Sequence, residues 1–346
     1  MLVTVIVLDG SVGEGGGQVL RTALGLSLVT GEPFRMHRIR HRRPNPGLRR
    51  QHLTAVQAAC ELGQATVEGA SLGSQELIFR PNRLRPGRFV FHVGSAGSVG
   101  LVLQAVLPAL LVADGPTTLE LHGGTHNPMA PPFEFLQTVL FPLLGRMGVE
   151  VEAKLLAYGF YPVGGGRIEV QVKPGKSLRP VVLEKRGPVQ ETGALVLLAH
   201  VSPRIGEKEC AVVTRRLQWP ACLCQVQKVP SAGPGNAVLL TVRGEGFAEV
   251  CSACGVRGVG PEAVAEEACA ALERFLAAQV PVGEHLADQI LVPLALAGGG
   301  IFRTLPLTLH TRTVIEVMKA FLPVEIMVSA LPGGTEEVEI LTGGVA

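Results

Sequence analysis

Lysine is scarce in this chain. Seven of its 31 basic residues are lysines, so arginine carries the positive charge. Aromatic residues make up 4% of the sequence, with one Trp and two Tyr in 346 residues. That excludes a long platform on which a row of nucleobases could stack. Charged residues are 17% and the formal net charge is +2. Those values exclude a polycation, and the 47% hydrophobic content excludes a disordered chain. The longest apolar stretch, residues 99–113, contains Gln104 and Pro108 and is too short to span a bilayer, so no membrane association is expected. The opening MLVTVIVLDG has no basic stretch ahead of its apolar residues. No secretory leader is therefore expected, and the expected location is the cytoplasm. Seven cysteines cannot all pair. Cys222-x-Cys224 and Cys251-x-x-Cys254 offer four thiols, but a one-residue spacer suits zinc poorly. Idle thiols in a reducing compartment are the expectation.

Glycine and proline are plentiful, at 43 and 25 residues, without a fixed period. They imply many tight turns and several places where a ligand approaches the backbone closely. The positive charge is local. Arg35, Arg38, Arg40, Arg42, Arg43, Arg49 and Arg50 crowd a short stretch with His37 and His41. A guanidinium grips two phosphate oxygens at once, so the cluster points to phosphate recognition; a solvated basic face is the plainer alternative.

A diverged repeat runs along the chain. A glycine turn, an apolar helix, a second turn and a strand recur at residues 13–39, 94–123 and 283–306. Each copy places a glutamine early: Gln18, Gln104 and Gln289. A second helix is expected after each, at 48–62, 132–147 and 313–321. Alternating segments at 65–68, 76–80, 88–93, 150–154 and 167–172 supply strands. The expected fold is layered α/β, three units of two helices and about four strands. Residues 1–184 and 281–346 would form this large domain. An extra segment, residues 185–280, would form a smaller inserted α/β domain with a helix at 262–278 and strands at 194–201, 237–243 and 247–252.

DGSVGEGGGQVLR, residues 9–21, follows an apolar strand and opens a helix. Its glycines would let an anion approach the backbone beside free helix N–H groups. It is neither a Walker A loop nor a dinucleotide fingerprint. Glu14 would repel a bare phosphate, and a divalent cation between them removes the conflict. Three more glycine-rich stretches, at residues 94–98, 123–132 and 159–166, suggest a large nucleotide or a long substrate cradled by backbone.

These motifs, LDGSVGEGGGQVLR, GSAGS, GGT-x-NP-x-APP, GFYPVGGG and GEHLADQ, resemble those of the RNA 3′-terminal phosphate cyclases, in the same order and over essentially the whole chain. The resemblance implies three repeated α/β units with an inserted domain. It implies ATP-dependent closure of an RNA 3′-phosphate to a 2′,3′-cyclic phosphate. The nucleophile it implies is His310, in LTLHTRT. Arg21, Arg40 and Arg43 would bind the triphosphate or the RNA phosphate, and Glu14 would hold Mg2+ or Mn2+. Gln51, Gln104, Pro131, Asp288 and Gln289 would line the nucleotide pocket, with Asp288 orienting His310 or touching the metal or ribose. RNA contact would centre on the terminus, with weak sequence preference and salt-sensitive binding. Two positions depart from the family pattern. Tyr158 stands where a basic residue is usual and would alter contact with the RNA end. His126 stands where an acidic residue is common. A non-catalytic scaffold of the same fold would lack His310 and the pocket residues. A small-molecule transferase with similar architecture would use the same glycines and arginines for a metabolite.

Overall fold

The computed structural model describes residues 5–342. Met1–Thr4, which open the stretch on which the leader expectation rests, lie outside them.

Three four-stranded sheets share one connectivity. The first places Ile6–Asp9, Phe34–His37, Leu77–Arg80 and Thr66–Glu68 side by side. The second places Gly87–His92, Thr117–Gly123, Gly166–Lys173 and Glu150–Ala157 in the same way. The third runs Val182–Leu183, Gly299–Thr304, Thr335–Thr342 and Val324–Leu331. In each, the first pair is parallel and the next two are antiparallel. A parallel pair needs a crossover, and helices Gln18–Thr30, Val99–Leu111 and Glu284–Leu296 lie in the three crossovers.

Each sheet buries one face. Along Thr117–Gly123 the residues alternate between buried and half-buried, with Leu119 and Leu121 inward. The crossover helices share one continuous apolar core with the sheets. Val99–Leu111 is apolar almost all round because protein surrounds it, which is also why it reads as a membrane-like run. Among the described residues, no helix is long and apolar enough to cross a membrane.

The second helices depart from their expected bounds. Arg50–Leu62 begins two residues late. The expected helix at 132–147 is a composite: Phe133–Phe135, a π-helical turn Leu136–Leu140, then Phe141–Arg146. The third is Leu309–Phe321 and starts four residues earlier than its apolar pattern indicates. Thr308 caps it by accepting the Thr311 N–H, so its first turn is polar and carries His310.

Residues between the first two strands of the third sheet, Val182–Leu183 and Gly299–Thr304, build a fourth, ordered Cys224–Lys228, Val189–Ala199, Gly235–Gly244 and Phe247–Cys254. It has its own core around Val196, Val238, Leu240, Leu272 and Phe275. Helix Pro261–Ala278 agrees with expectation, but helix Pro203–Leu217 does not appear in the apolar pattern. That helix buries only Gly206, Glu209, Val212 and Val213, a stripe too narrow and polar to give a signal.

The expectation of idle thiols fails at two positions. Cys210 is bonded to Cys224, with Cα atoms 5.7 Å apart, tying helix to edge strand. Cys224 is therefore unavailable to a four-thiol metal site. Burial pushes the Cys251 thiol up strongly and Cys254 up to about 12, so both stay protonated and unreactive at neutral pH. No metal-ligating cluster of three or more such residues occurs among the described residues.

Strand Phe247–Cys254 presses Glu249 against the start of helix Glu284–Leu296. Glu249 is 4% exposed, and a Cβ at Gly283 would collide with its Oε2. Oε1 accepts the Val250 N–H, while Oε2 has no partner. Burial raises this carboxyl to about 7, reinforced by Glu284 and opposed by the Val250 N–H. The folded state thus holds the proton more tightly than the unfolded chain. The group favours folding below its ordinary value of 4.5, and that contribution is lost as pH rises through about 7. Glu249→Gln should stabilise the protein at pH 8 by up to about 3 kcal/mol and have little effect near pH 4, in urea unfolding at the two pH values. Equal effects at both would contradict this account of the carboxyl.

Candidate active site

The three crossover helices meet at a polar point inside an apolar assembly. Gln18 and Arg21 lie one turn apart on Gln18–Thr30 and share a face. Arg21 is 7% exposed. Its Nη2 donates to Gln18 Oε1, and its Nε donates to Gln104 Oε1 at 3.0 Å. Gln104, on Val99–Leu111, passes the link on: its Nε2 donates to Asp288 Oδ2 at 3.3 Å. Asp288 belongs to Glu284–Leu296. One chain of hydrogen bonds therefore crosses all three helices. Gln289 joins Gln18, Gln104 and Asp288 in lining a small cavity there, and its Nε2 donates to the His285 carbonyl.

Burial lowers the Arg21 guanidinium to about 10, and the charge of Asp288 opposes that. Burial raises Asp288 to about 7 although one edge reaches solvent; Arg21 and Gln104 oppose it. Each group makes the other's burial tolerable.

His310 is exposed at one edge, in the first turn of Leu309–Phe321. The protein packed around its ring lowers its proton affinity below the ordinary 6.5, and the cations Arg21 and Arg43 lower it further. The helix N-terminus acts in the same direction. The loop carrying Glu14 docks on this helix: the Glu14 N–H donates to Thr313 Oγ1 at 3.0 Å across 299 residues of sequence. Glu14 pairs with Arg43, and its Oε2 is buried without a partner. Arg21, Arg43, Glu14, Gln104, Asp288, Gln289 and His310 are thus gathered into one region.

The other expected residues stand apart from that network. Arg40 Nη1 donates to the carbonyls of Asn45 and Gly47, at 2.8 and 2.9 Å, so it braces its own loop. Burial and Arg49 lower its proton affinity. Gln51 Oε1 accepts the Ser98 N–H at 2.7 Å, on a cleft bordered by residues 127–130. Pro131 is half-buried, directly beyond that loop.

Several site residues are absent from the sequence expectation. Gln18 has a signal, one turn before Arg21. His285 also has one, three residues before Asp288. Although one edge is exposed, the protein packed around its ring lowers its proton affinity, Glu284 raises it and His310 lowers it again, and Phe135 meets the ring edge-on at 6.1 Å. His52 is held near 3 by burial and then by Arg40, Arg21, Arg49 and Arg43, so it stays neutral among cations. Thr313 has no local signal, because its partner lies at the other end of the chain.

The glycine-rich stretches also have a packing role that the sequence did not show. A Cβ at Gly124 would strike the Ala96 carbonyl, and one at Gly159 would strike Gly123 O and Gly166 N. Three motifs therefore pack backbone on backbone, joined by bridges Ser98↔Gly124 and His126↔Phe160. In the first loop, Gly13 adopts φ +61° and leaves room for Thr313, and Gly17 leaves room for His52 and Arg21. The two departures from the family pattern meet each other. The buried His126 ring stacks on Tyr158 at 5.5 Å, and its Nε2 hydrogen-bonds Glu134 at 2.8 Å. Tyr158 is half-buried, and its carbonyl accepts from Ser231 Oγ at the seam with the fourth sheet.

The electrostatics predict an NMR result. His310 should titrate below an ordinary histidine, and Arg43→Gln should move its midpoint upward, since a removed cation eases protonation. An unchanged midpoint would show that Arg43 does not act on the ring.

A family model described as RNA 3′-terminal phosphate cyclase matches residues 12–328. A protein of Koribacter versatilis named RNA 3′-terminal phosphate cyclase is 47% identical over 325 residues, covering 94% of this chain and 92% of its own. Proteins of the same name from Ectopseudomonas mendocina and Salmonella enteritidis are each 48% identical. They cover 93% and 95% of this chain, and 94% and 97% of their own. A match of this extent, over the residues that build the site, places the chain in the RNA 3′-terminal phosphate cyclase family.

Proposed function

We propose that this protein converts an RNA 3′-terminal phosphate into a 2′,3′-cyclic phosphate at the expense of ATP, through an AMP carried on His310. The observation that carries the reading is the placement of His310. It lies at a helix start, where the packed protein and then the cations Arg21 and Arg43 lower its proton affinity.

Nucleophilic attack requires a free ring nitrogen, and a lowered proton affinity keeps one free near neutral pH. His310 attacks the α-phosphorus of ATP. A P–N bond forms, the bond to pyrophosphate breaks, and the ring proton is lost. Arg21 and Arg43 neutralise charge gathering on the leaving group. A 3′-phosphate oxygen of RNA next attacks the same phosphorus, the P–N bond breaks, and RNA-pp-A forms. Finally the 2′-oxygen attacks the terminal RNA phosphorus, loses its proton and expels AMP. Tethering of that hydroxyl beside the phosphorus gives the closure a large proximity advantage.

Glu14 is the residue to hold Mg2+ or Mn2+. Its buried Oε2 lacks a partner, and a single carboxylate suits a cation held otherwise by phosphates and water. Such a cation would screen phosphate charge. Gln104, Asp288 and Gln289 would border the nucleotide, with Arg40, Gln51 and Pro131 on its RNA side. In this reading residues 1–184 and 281–346 form the catalytic body, and 185–280 an inserted domain.

Purified protein with ATP, a divalent metal and a 3′-phosphorylated oligoribonucleotide should yield ends that phosphatase cannot remove. His310→Ala should abolish the product, and Arg21→Ala should slow it about 100-fold. Wild-type rates in His310→Ala would overturn the mechanism.

A further inference from the structure

The glycine motifs that pack on one another leave an open cleft of about 560 Å³ along their outer side. Its volume suits a nucleoside. The walls come from residues 95–98, 127–130 and 161–162, with Gln51 from the first unit and Val256 from the segment of the fourth sheet. They are largely apolar. Met129 is 82% exposed, Tyr161 61% and Val256 46%, and Pro128, Pro162 and Leu101 complete the surface. Grouped apolar side chains open to water mark a binding surface more often than isolated ones do.

The cleft and the surroundings of Arg21 and Arg43 are linked through the start of one helix. Gln51 follows Arg49 and Arg50 at the start of helix Arg50–Leu62. The next residue, His52, sits in the field of Arg21 and Arg43. Arg50 is exposed, with Nη1 on the Gly94 carbonyl at 2.7 Å, and Arg257 is exposed beside Val256. Cations thus flank an apolar slot.

We propose that this cleft takes a nucleobase near the 3′ end of the RNA, stacked against Tyr161 and Met129, while Arg49 and Arg50 pass the backbone toward His310. The inference rests on the RNA-end reading above and extends it from the terminal phosphate to one base. Stacking of this kind tolerates any base, so it adds affinity without sequence preference. It is a single slot, which the low aromatic content of the chain permits.

The test uses the full chain and 3′-phosphorylated oligoribonucleotides with one abasic position among the last three nucleotides. Tyr161→Ala and Met129→Ala should raise KM for the intact RNA about tenfold, and labelling by ATP alone should proceed as in wild type. One abasic position should weaken the wild type to a similar degree and weaken Tyr161→Ala no further. Variants that cyclise intact RNA like the wild type would overturn the cleft, as would a wild type indifferent to every abasic position. Loss of labelling with ATP alone would also overturn it, because the slot would then serve the nucleotide. A wild type that labels but makes no cyclic phosphate from any RNA would remove the reading beneath the inference.

Discussion

A guanidinium held away from water is the constraint on which the rest of the site depends. Arg21 loses its hydration where three helices converge, and such a loss is tolerable only if other groups replace the water. Gln18 and Gln104 supply oxygen acceptors, and Asp288 supplies the opposite charge. Each comes from a position fixed by packing of the large apolar core. The core thereby sets the distance between residues that are 83 and 184 positions apart in sequence. The arrangement also works outward: Arg21 withholds a proton from His310 and from His52. A residue that looks like a phosphate ligand is also the electrostatic centre of its surroundings.

Proton affinities in this region draw together. Asp288 rises to about 7, and His285 and His310 fall below their ordinary value. The causes are physical and distinct: burial opposes the charged form of every one, Arg21 and Arg43 act further against His310, and Glu284 partly offsets the fall at His285. Near neutral pH the neutral form of His310 is favoured beside Arg21 and Arg43, and the rise that burial imposes on Asp288 is opposed by the Arg21 charge facing it. That distribution suits a nucleophile which must present a lone pair beside polyanionic substrates.

Much of this was legible in the sequence. The alternation of glycine turn, apolar helix and strand located all three crossover helices, because burial on one side imposes a period that single residues report. Gln104 and Gln289 fell at equivalent places in their helices for the same reason. Other features were hidden because they depend on partners far along the chain. Thr313 accepts from Glu14 across almost the whole length, and nothing near either residue records it. The polar first turn bearing His310 looked like loop until Thr308 was seen to cap it. The glycines of residues 94–98, 123–132 and 159–166 suggested a ligand against the backbone; the sequence did not show that Gly123, Gly124, Gly159, Gly164 and Gly166 also let these stretches pack on one another. Arg40 looked like its arginine neighbours, and nothing near it in sequence records that its Nη1 braces the carbonyls of Asn45 and Gly47.

The central claim is that His310 carries AMP. Intact-mass analysis after incubation with ATP and a divalent metal, followed by peptide mapping, tests it most directly. The account predicts one added AMP, labile in acid, on the peptide containing His310 and absent from His310→Ala. Bound ATP with no adduct would contradict the account, and so would an adduct on another residue, such as the neighbouring His285.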